Sequence, residues 1–122
     1  MNPKLLIVDD ESDVLDFAAS FFRKRKVDVL TASSGEEALE VINREDPAAM
    51  LLDIKMEGMD GIETLKRIKE FNKEIKVIMV TGRDDEETMR QTQEMGAYGY
   101  IHKPLKLDEL EKVVMQILEK AK

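Results

Sequence analysis

The chain has 122 residues, enough for one domain spanning residues 1–122 that buries roughly two-thirds of its unfolded surface without covalent or metal staples. It contains no cysteine, which excludes disulfides and thiolate metal sites and suits a reducing, cytoplasmic setting. The net charge of −7 offers no basic footprint for nucleic acid, and the longest early apolar run, Leu5 to Val8, is too short for a signal peptide or a membrane span.

In chain order, short apolar runs alternate with segments of helical period. Leu5-Leu6-Ile7-Val8 is continuous rather than alternating, which marks a strand covered on both faces. Val14, Phe17, Ala18, Phe21 and Phe22 recur at helical spacing. Arg23-Lys24-Arg25-Lys26, the one basic cluster, reads as cations at that helix's C-terminus, where the dipole favours them. Val27 to Ala32 is a second strand, less uniformly apolar and so nearer an edge. Ser34-Gly35-Glu36-Glu37 has the form of a capping box and opens a helix carrying Ala38, Leu39, Val41 and Ile42. Ala49 to Leu52 is the third strand, and Asp60-Gly61-Ile62-Glu63 opens a third helix striped by Ile62, Leu65 and Ile68. Val77 to Val80 is the fourth strand. The helix after it, Asp84 to Met95, has only Met89 and Met95 as large apolar residues, which predicts few core contacts and low local stability. Gly96 and Gly99 precede a short fifth strand around Tyr100-Ile101. Leu107, Leu110, Val113, Val114, Ile117 and Leu118 make the last helix the most regular. Five strands alternating with five helices predict an α/β fold, a parallel sheet with helices on both faces.

In a parallel sheet all strands end at one edge, and ligands bind outside those carboxyl ends. Asp9 and Asp10 follow the first strand, Asp53 closes the third, Thr81 follows the fourth and Lys103 the fifth. Each sits beside an apolar run, where an unpaired charge is costly, so these groups are expected to share one site. Two carboxylates about 4 Å apart repel by roughly 4 kcal/mol at moderate effective dielectric, and one lysine cannot neutralise three acids. A hard divalent cation can: Mg²⁺ (or Mn²⁺) takes carboxylates, waters and a phosphate oxygen. Acids, cation, lysine and hydroxyl together are the parts of phosphoryl transfer to a carboxylate.

Singly, these residues have plainer readings. Asp9-Asp10 alone reads as a strand-to-helix turn, one acid capping the helix that begins near Ser12. Thr81 alone is a strand residue, Lys103 a solvated lysine and Tyr100 an edge aromatic. His102, the sole histidine, reads as a partly exposed strand residue. The eight methionines are mostly core filling, with Met56 and Met59 at the rim of the site. The constellation outweighs its members.

Leu-Ile-Val-Asp9-Asp10-Glu, Leu-Leu-Asp53-Ile-Lys-Met, Met-Asp60-Gly61-Ile-Glu, Val-Thr81-Gly82 and Lys103-Pro104-Leu follow one another over essentially the whole chain. In that order they resemble the bacterial response-regulator receiver domain of two-component systems, the chemotaxis-regulator-like module. The resemblance implies a flavodoxin-like (βα)5 fold with strand order 2-1-3-4-5. It implies that Asp53 accepts a phosphoryl group, with Mg²⁺, from a phosphohistidine on a sensor histidine kinase or histidine phosphotransfer protein. Asp10, Asp53 and the main-chain carbonyl of Lys55 resemble the cation ligands, and Asp9 the acid that acts through water. Lys103 resembles the phosphoryl-pairing lysine, joined to Pro104 by a bond the family keeps cis, a form found in only about 5–6% of such bonds. Thr81 resembles the hydroxyl that moves to the phosphoryl group, and Tyr100 the switch aromatic that turns with it. The fourth helix, fifth strand and fifth helix would then face an output partner or effector domain that the sequence does not name.

Lys55 and Arg83, two residues past Asp53 and Thr81, stand where the family tunes phosphate lifetime. Glu57 stands where relatives often carry proline, which predicts a less rigid loop after Asp53. Such a module catalyses its own phosphorylation and dephosphorylation and is not a turnover enzyme. An aspartate-nucleophile phosphatase would carry Asp-x-Asp after its first strand, where this chain has Glu11. A flavodoxin-like carrier would want a Ser/Thr/Gly-rich phosphate loop where this chain places two acids. Both are disfavoured.

Overall fold

The computed structural model describes residues 3–71, 74–82 and 86–121. Its strands are β1 (Lys4–Val8), β2 (Asp28–Ala32), β3 (Ala49–Asp53), β4 (Lys76–Thr81) and β5 (Gly99–His102). Its helices are α1 (Ser12–Lys24), α2 (Gly35–Glu45), α3 (Gly61–Phe71), α4 (Glu86–Glu94) and α5 (Leu107–Lys120). The strands pair in parallel in the order β2-β1-β3-β4-β5, the order the resemblance implies.

The continuous apolar runs follow from a sheet with two covered faces. Leu5 and Ile7 of β1, Ala49 and Leu51 of β3, and Ile78 and Val80 of β4 join one core with Leu15, Ala18 and Phe22 of α1 and Leu110, Val114 and Ile117 of α5. Their alternates Leu6, Val8, Met50, Leu52, Val77 and Met79 join a second core with Ala38, Val41 and Ile42 of α2 and Leu65 and Ile68 of α3. Fully buried side chains such as Phe22, Leu65 and Met79 each contribute about 1.5–3 kcal/mol of hydrophobic stabilisation. β2 and β5 are the edges, and their half-buried residues match the expectation that β2 lies near one.

Several local details differ from the sequence reading. Phe17, placed in the α1 stripe, is 65% exposed, because the buried stripe is Leu15, Ala18, Ala19 and Phe22. Position 17 lies two residues from Leu15, about 200° around the helix, and points away from the sheet. Ser34 caps α2 by accepting from the Glu37 N–H at 3.1 Å. The box does not close on Ser34, however: the Glu37 carboxylate reaches one residue further back and accepts from the Ser33 N–H at 2.6 Å and its hydroxyl at 3.0 Å. Asp60 caps α3, accepting from the Glu63 N–H at 2.9 Å. At the end of α1, Arg25 donates to the Phe21 carbonyl (3.1 Å) and pairs with Glu111 of α5 (3.0 Å), so the basic cluster serves the helix end as read. The described α4 buries only Thr92, as its sparse stripe predicts, while Asp84 at its expected start lies outside the described residues.

Candidate functional site

Register brings the strand endings together. Val8 stands opposite Ala32 on one side and Leu52 on the other, Asp53 opposite Val80, and Thr81 opposite His102. The ladders run one residue further. The Asp9 N–H donates to the Ala32 carbonyl (3.2 Å), the Ile54 N–H to Val80 (3.0 Å) and the Lys103 N–H to Thr81 (2.8 Å). Asp9, Asp53, Thr81 and Lys103 therefore share the carboxyl edge. The acids straddle β1 and β3, where the strand order reverses, which is the crevice such sheets offer to ligands.

Asp9 and Asp53 are 4% and 2% exposed, whereas Asp10 is exposed. One carboxylate oxygen from each lies within 4.8 Å of the others. The Asp53 Oδ2 accepts from Lys103 Nζ at 3.2 Å, and the same Nζ lies 3.8 Å from Glu11 Oε1. Asp9 Oδ1 accepts from the Glu11 N–H at 2.9 Å, and Asp10 Oδ2 accepts from the Glu57 N–H at 3.1 Å. Neither acid caps α1, contrary to the plain reading: the N-cap is Glu11, with no side-chain cap bond.

Burial raises the Asp53 pKa above the usual carboxylate range and the Asp9 charge adds to it; Lys103 and a main-chain hydrogen bond from Lys55 oppose without cancelling. Burial likewise raises Asp9, against the Glu11 N–H and Lys103. Partial burial disfavours the Lys103 ammonium, but Asp53, Asp9 and Glu11 outweigh it and its pKa is raised. A lone ion pair would lower its acid. Here burial outweighs the one ammonium, and repulsion among the acids adds to it.

The donor set suits a hard divalent cation. It is all oxygen, it is anionic and two of its three acids are buried, and among the described residues it is the trio of acids close enough to share an ion. Oxygens that all lie within 4.8 Å of one another are close enough to share one such ion, and octahedral Mg²⁺ holds its ligands at about 2.0–2.1 Å.

The remaining expected residues fall as follows. The Thr81 side chain is buried and its hydroxyl donates to the Gly82 carbonyl at 3.0 Å, not to Asp53. Lys55 has an exposed side chain. Tyr100 is half-buried against the second core, with its ring 5.9 Å from that of exposed His102. The Lys103–Pro104 peptide bond is cis. Arg83 lies outside the described residues. Met56 is buried in the second core, and half-buried Met59 lies against Gly35, where an added Cβ would sit 3.1 Å from its Sδ. The loop after Asp53 is tied rather than loosened, because the Glu57 N–H that a proline would lack holds Asp10. Gly61 closes that loop. Its N–H donates to the Ile54 carbonyl at 2.8 Å, and a Cβ there would meet the Ile54 Cα at 2.7 Å. Glu11 is the site residue the sequence reading missed; its signal was a glutamate, a poor capping residue, standing directly at a helix start.

A doubly wound (βα)5 sheet with three acids and a lysine at its switch point is the architecture of the response regulator receiver domain. The model for that family matches residues 5–115, and the chain belongs to it. Its members are phospho-acceptor signalling domains served by a kinase or phosphotransfer partner, not turnover enzymes. Sporulation initiation phosphotransferase F of Bacillus subtilis (strain 168) is 36% identical over 118 residues, covering 97% of this chain and 95% of that protein. The alkaline phosphatase synthesis transcriptional regulatory protein PhoP of the same organism is 34% identical over 121 residues, 99% of this chain but 50% of its own length. Among solved structures, the CheY-like receiver domain protein from Methanospirillum hungatei JF-1 superposes with a TM-score of 0.92 at 30% identity, covering 98% of this chain and 96% of that one. Among the described residues no helix is long and apolar enough to cross a membrane.

Proposed function

We propose that Asp53 is the phospho-acceptor of this receiver domain, loaded from a phosphohistidine on a sensor histidine kinase or histidine phosphotransfer protein in the cytoplasm, with residues 1–122 acting as one module. The observation that carries this reading is the buried Asp53 carboxylate lying 3.2 Å from Lys103 and sharing an acid cluster with Asp9 and Asp10. An Asp53 oxygen forms the new O–P bond as the donor's bond from phosphorus to its leaving group breaks, and the leaving group keeps the electron pair. Lys103 offsets charge on the transferring group, and its raised pKa keeps it protonated while it does so. Asp10, Asp53 and the Lys55 carbonyl would hold Mg²⁺ (or Mn²⁺), with Asp9 acting through water. When bound, that cation supplies charge neutralisation for the acids and the phosphoryl oxygens.

The phosphoryl group adds nearly two negative charges at the sheet edge. Thr81, now turned to the Gly82 carbonyl, would exchange that bond for a phosphoryl oxygen, drawing the β4–α4 loop inward and Tyr100 with it. The group thereby selects one of two loop arrangements, and sparsely buried α4 is the element free to answer. The surface of α4, β5 and α5 is then the output face for a partner or effector domain. Lys55 and Arg83, two residues past Asp53 and Thr81 in the sequence, would tune phosphate lifetime. Intact mass after incubation with Mg²⁺ and acetyl phosphate tests this. One base-labile phosphate is expected on the wild type, and none with EDTA or on Asp53→Asn; full loading of that variant would refute the assignment.

A further inference from the structure

Lys103 does not belong to Asp53 alone. Its Nζ lies between Asp53 Oδ2 at 3.2 Å and Glu11 Oε1 at 3.8 Å. Glu11 occupies the N-cap of α1 with extended backbone (φ −92, ψ 111), yet its side chain makes no capping bond. Glutamate is a poor N-cap, so the helix end does not hold this carboxylate. Here the Glu11 N–H is held by Asp9 Oδ1 at 2.9 Å, which fixes the root of the side chain, and the 65%-exposed carboxylate lies near Lys103 instead. Among the described residues, Asp9, Asp10, Glu11 and Asp53 thus gather four carboxylates around the Lys103 ammonium.

We propose that Glu11 is a positioning residue that holds Lys103 toward the mouth of the pocket and slows loading from anionic phosphodonors. The proposal rests on the assignment of Asp53 as acceptor. While the O–P bond to Asp53 forms and the bond to the leaving group breaks, Lys103 has to follow the phosphoryl oxygens. The Glu11 carboxylate competes for the same ammonium and places negative charge where the donor enters. Charge at a partly exposed rim acts mainly on the rate of approach and is screened by salt.

The test is the rate of phosphate incorporation at saturating Mg²⁺, followed by intact mass. At low salt, Glu11→Gln should load from acetyl phosphate about two- to fivefold faster than wild type, the scale of a partly exposed ion pair. The gain should shrink at roughly 1 M salt, where screening reaches only about 3 Å, and should be smaller with phosphoramidate, which carries less charge. Glu11→Ser removes the same charge and supplies a better cap, so it should accelerate loading equally. Unchanged rates in both variants, or a gain indifferent to salt and donor charge, or a gain in only one of the two, overturns the proposal. Failure of the underlying assignment looks different, because the wild type itself would then take up no phosphate on Asp53.

Discussion

Burial sets the balance at Asp53. At 2% exposure and beside Asp9, its pKa is held above the 3.8 of an ordinary aspartate, and Lys103 at 3.2 Å does not undo this. Both acids bind their protons more tightly in the folded chain than in the unfolded one. Their contribution therefore favours folding below the ordinary carboxylate range and is lost as pH rises through the raised folded values. At neutral pH the ionised pair strains the metal-free fold. Asp53→Asn should accordingly stabilise the metal-free protein by on the order of 1–2 kcal/mol at pH 7, roughly 3–6 °C in Tm. That advantage should fade as pH falls from the raised folded value, where wild-type Asp53 regains its proton, toward the ordinary 3.8. Mg²⁺ should raise the Tm of the wild type and leave the variant little changed. Thermal denaturation of both proteins in EDTA and in Mg²⁺ across pH checks this; a variant less stable than wild type in EDTA at neutral pH contradicts it.

Among the elements, α3 has to approach the Asp53–Ile54 backbone closely enough that position 61 has no room for a side chain. The nearest atoms are all main chain, the Asp53 carbonyl oxygen first, then the Ile54 Cα at 2.7 Å and the Asp53 carbonyl carbon at 3.0 Å, and main chain cannot swing aside. Gly61→Ala should cost about 1–3 kcal/mol and slow loading, since any relief displaces the acceptor itself. A wild-type Tm with wild-type loading would show that the loop yields freely. The opposite situation holds at α4, which buries Thr92 alone where α5 buries Leu107, Leu110, Val114, Ile117 and Leu118. Hydrogen exchange should find the α4 amides at least about tenfold less protected than those of α5, and equal protection would remove α4 as the responsive element. The site thus sits between a helix packed too tightly to move and one packed too loosely to resist.

Over the whole molecule, what could be read from the residues alone was whatever burial dictates. The run Leu5–Val8 announced a doubly covered strand because each of its side chains has an apolar face to meet. Asp53 announced itself because an acid closing a fully buried strand needs partners. Strand order was not legible, since periodicity reports which face is covered and not which strand is the neighbour; it came with the resemblance. Phe17 misled because a hydrophobic count does not distinguish a side chain on the sheet-facing stripe from one about 200° away. Glu11 and Glu57 act through side-chain reach and a main-chain N–H, which leave no mark in a pattern of polar and apolar letters. The most direct measurement of the central claim locates the phosphoryl group. Protein loaded with Mg²⁺ and acetyl phosphate is reduced with borohydride, which converts an aspartyl phosphate to homoserine, and is then fragmented by mass spectrometry. Homoserine at position 53 and at no other aspartate is the predicted result; an intact Asp53 with the label on Asp9, Asp10 or His102 would contradict the account.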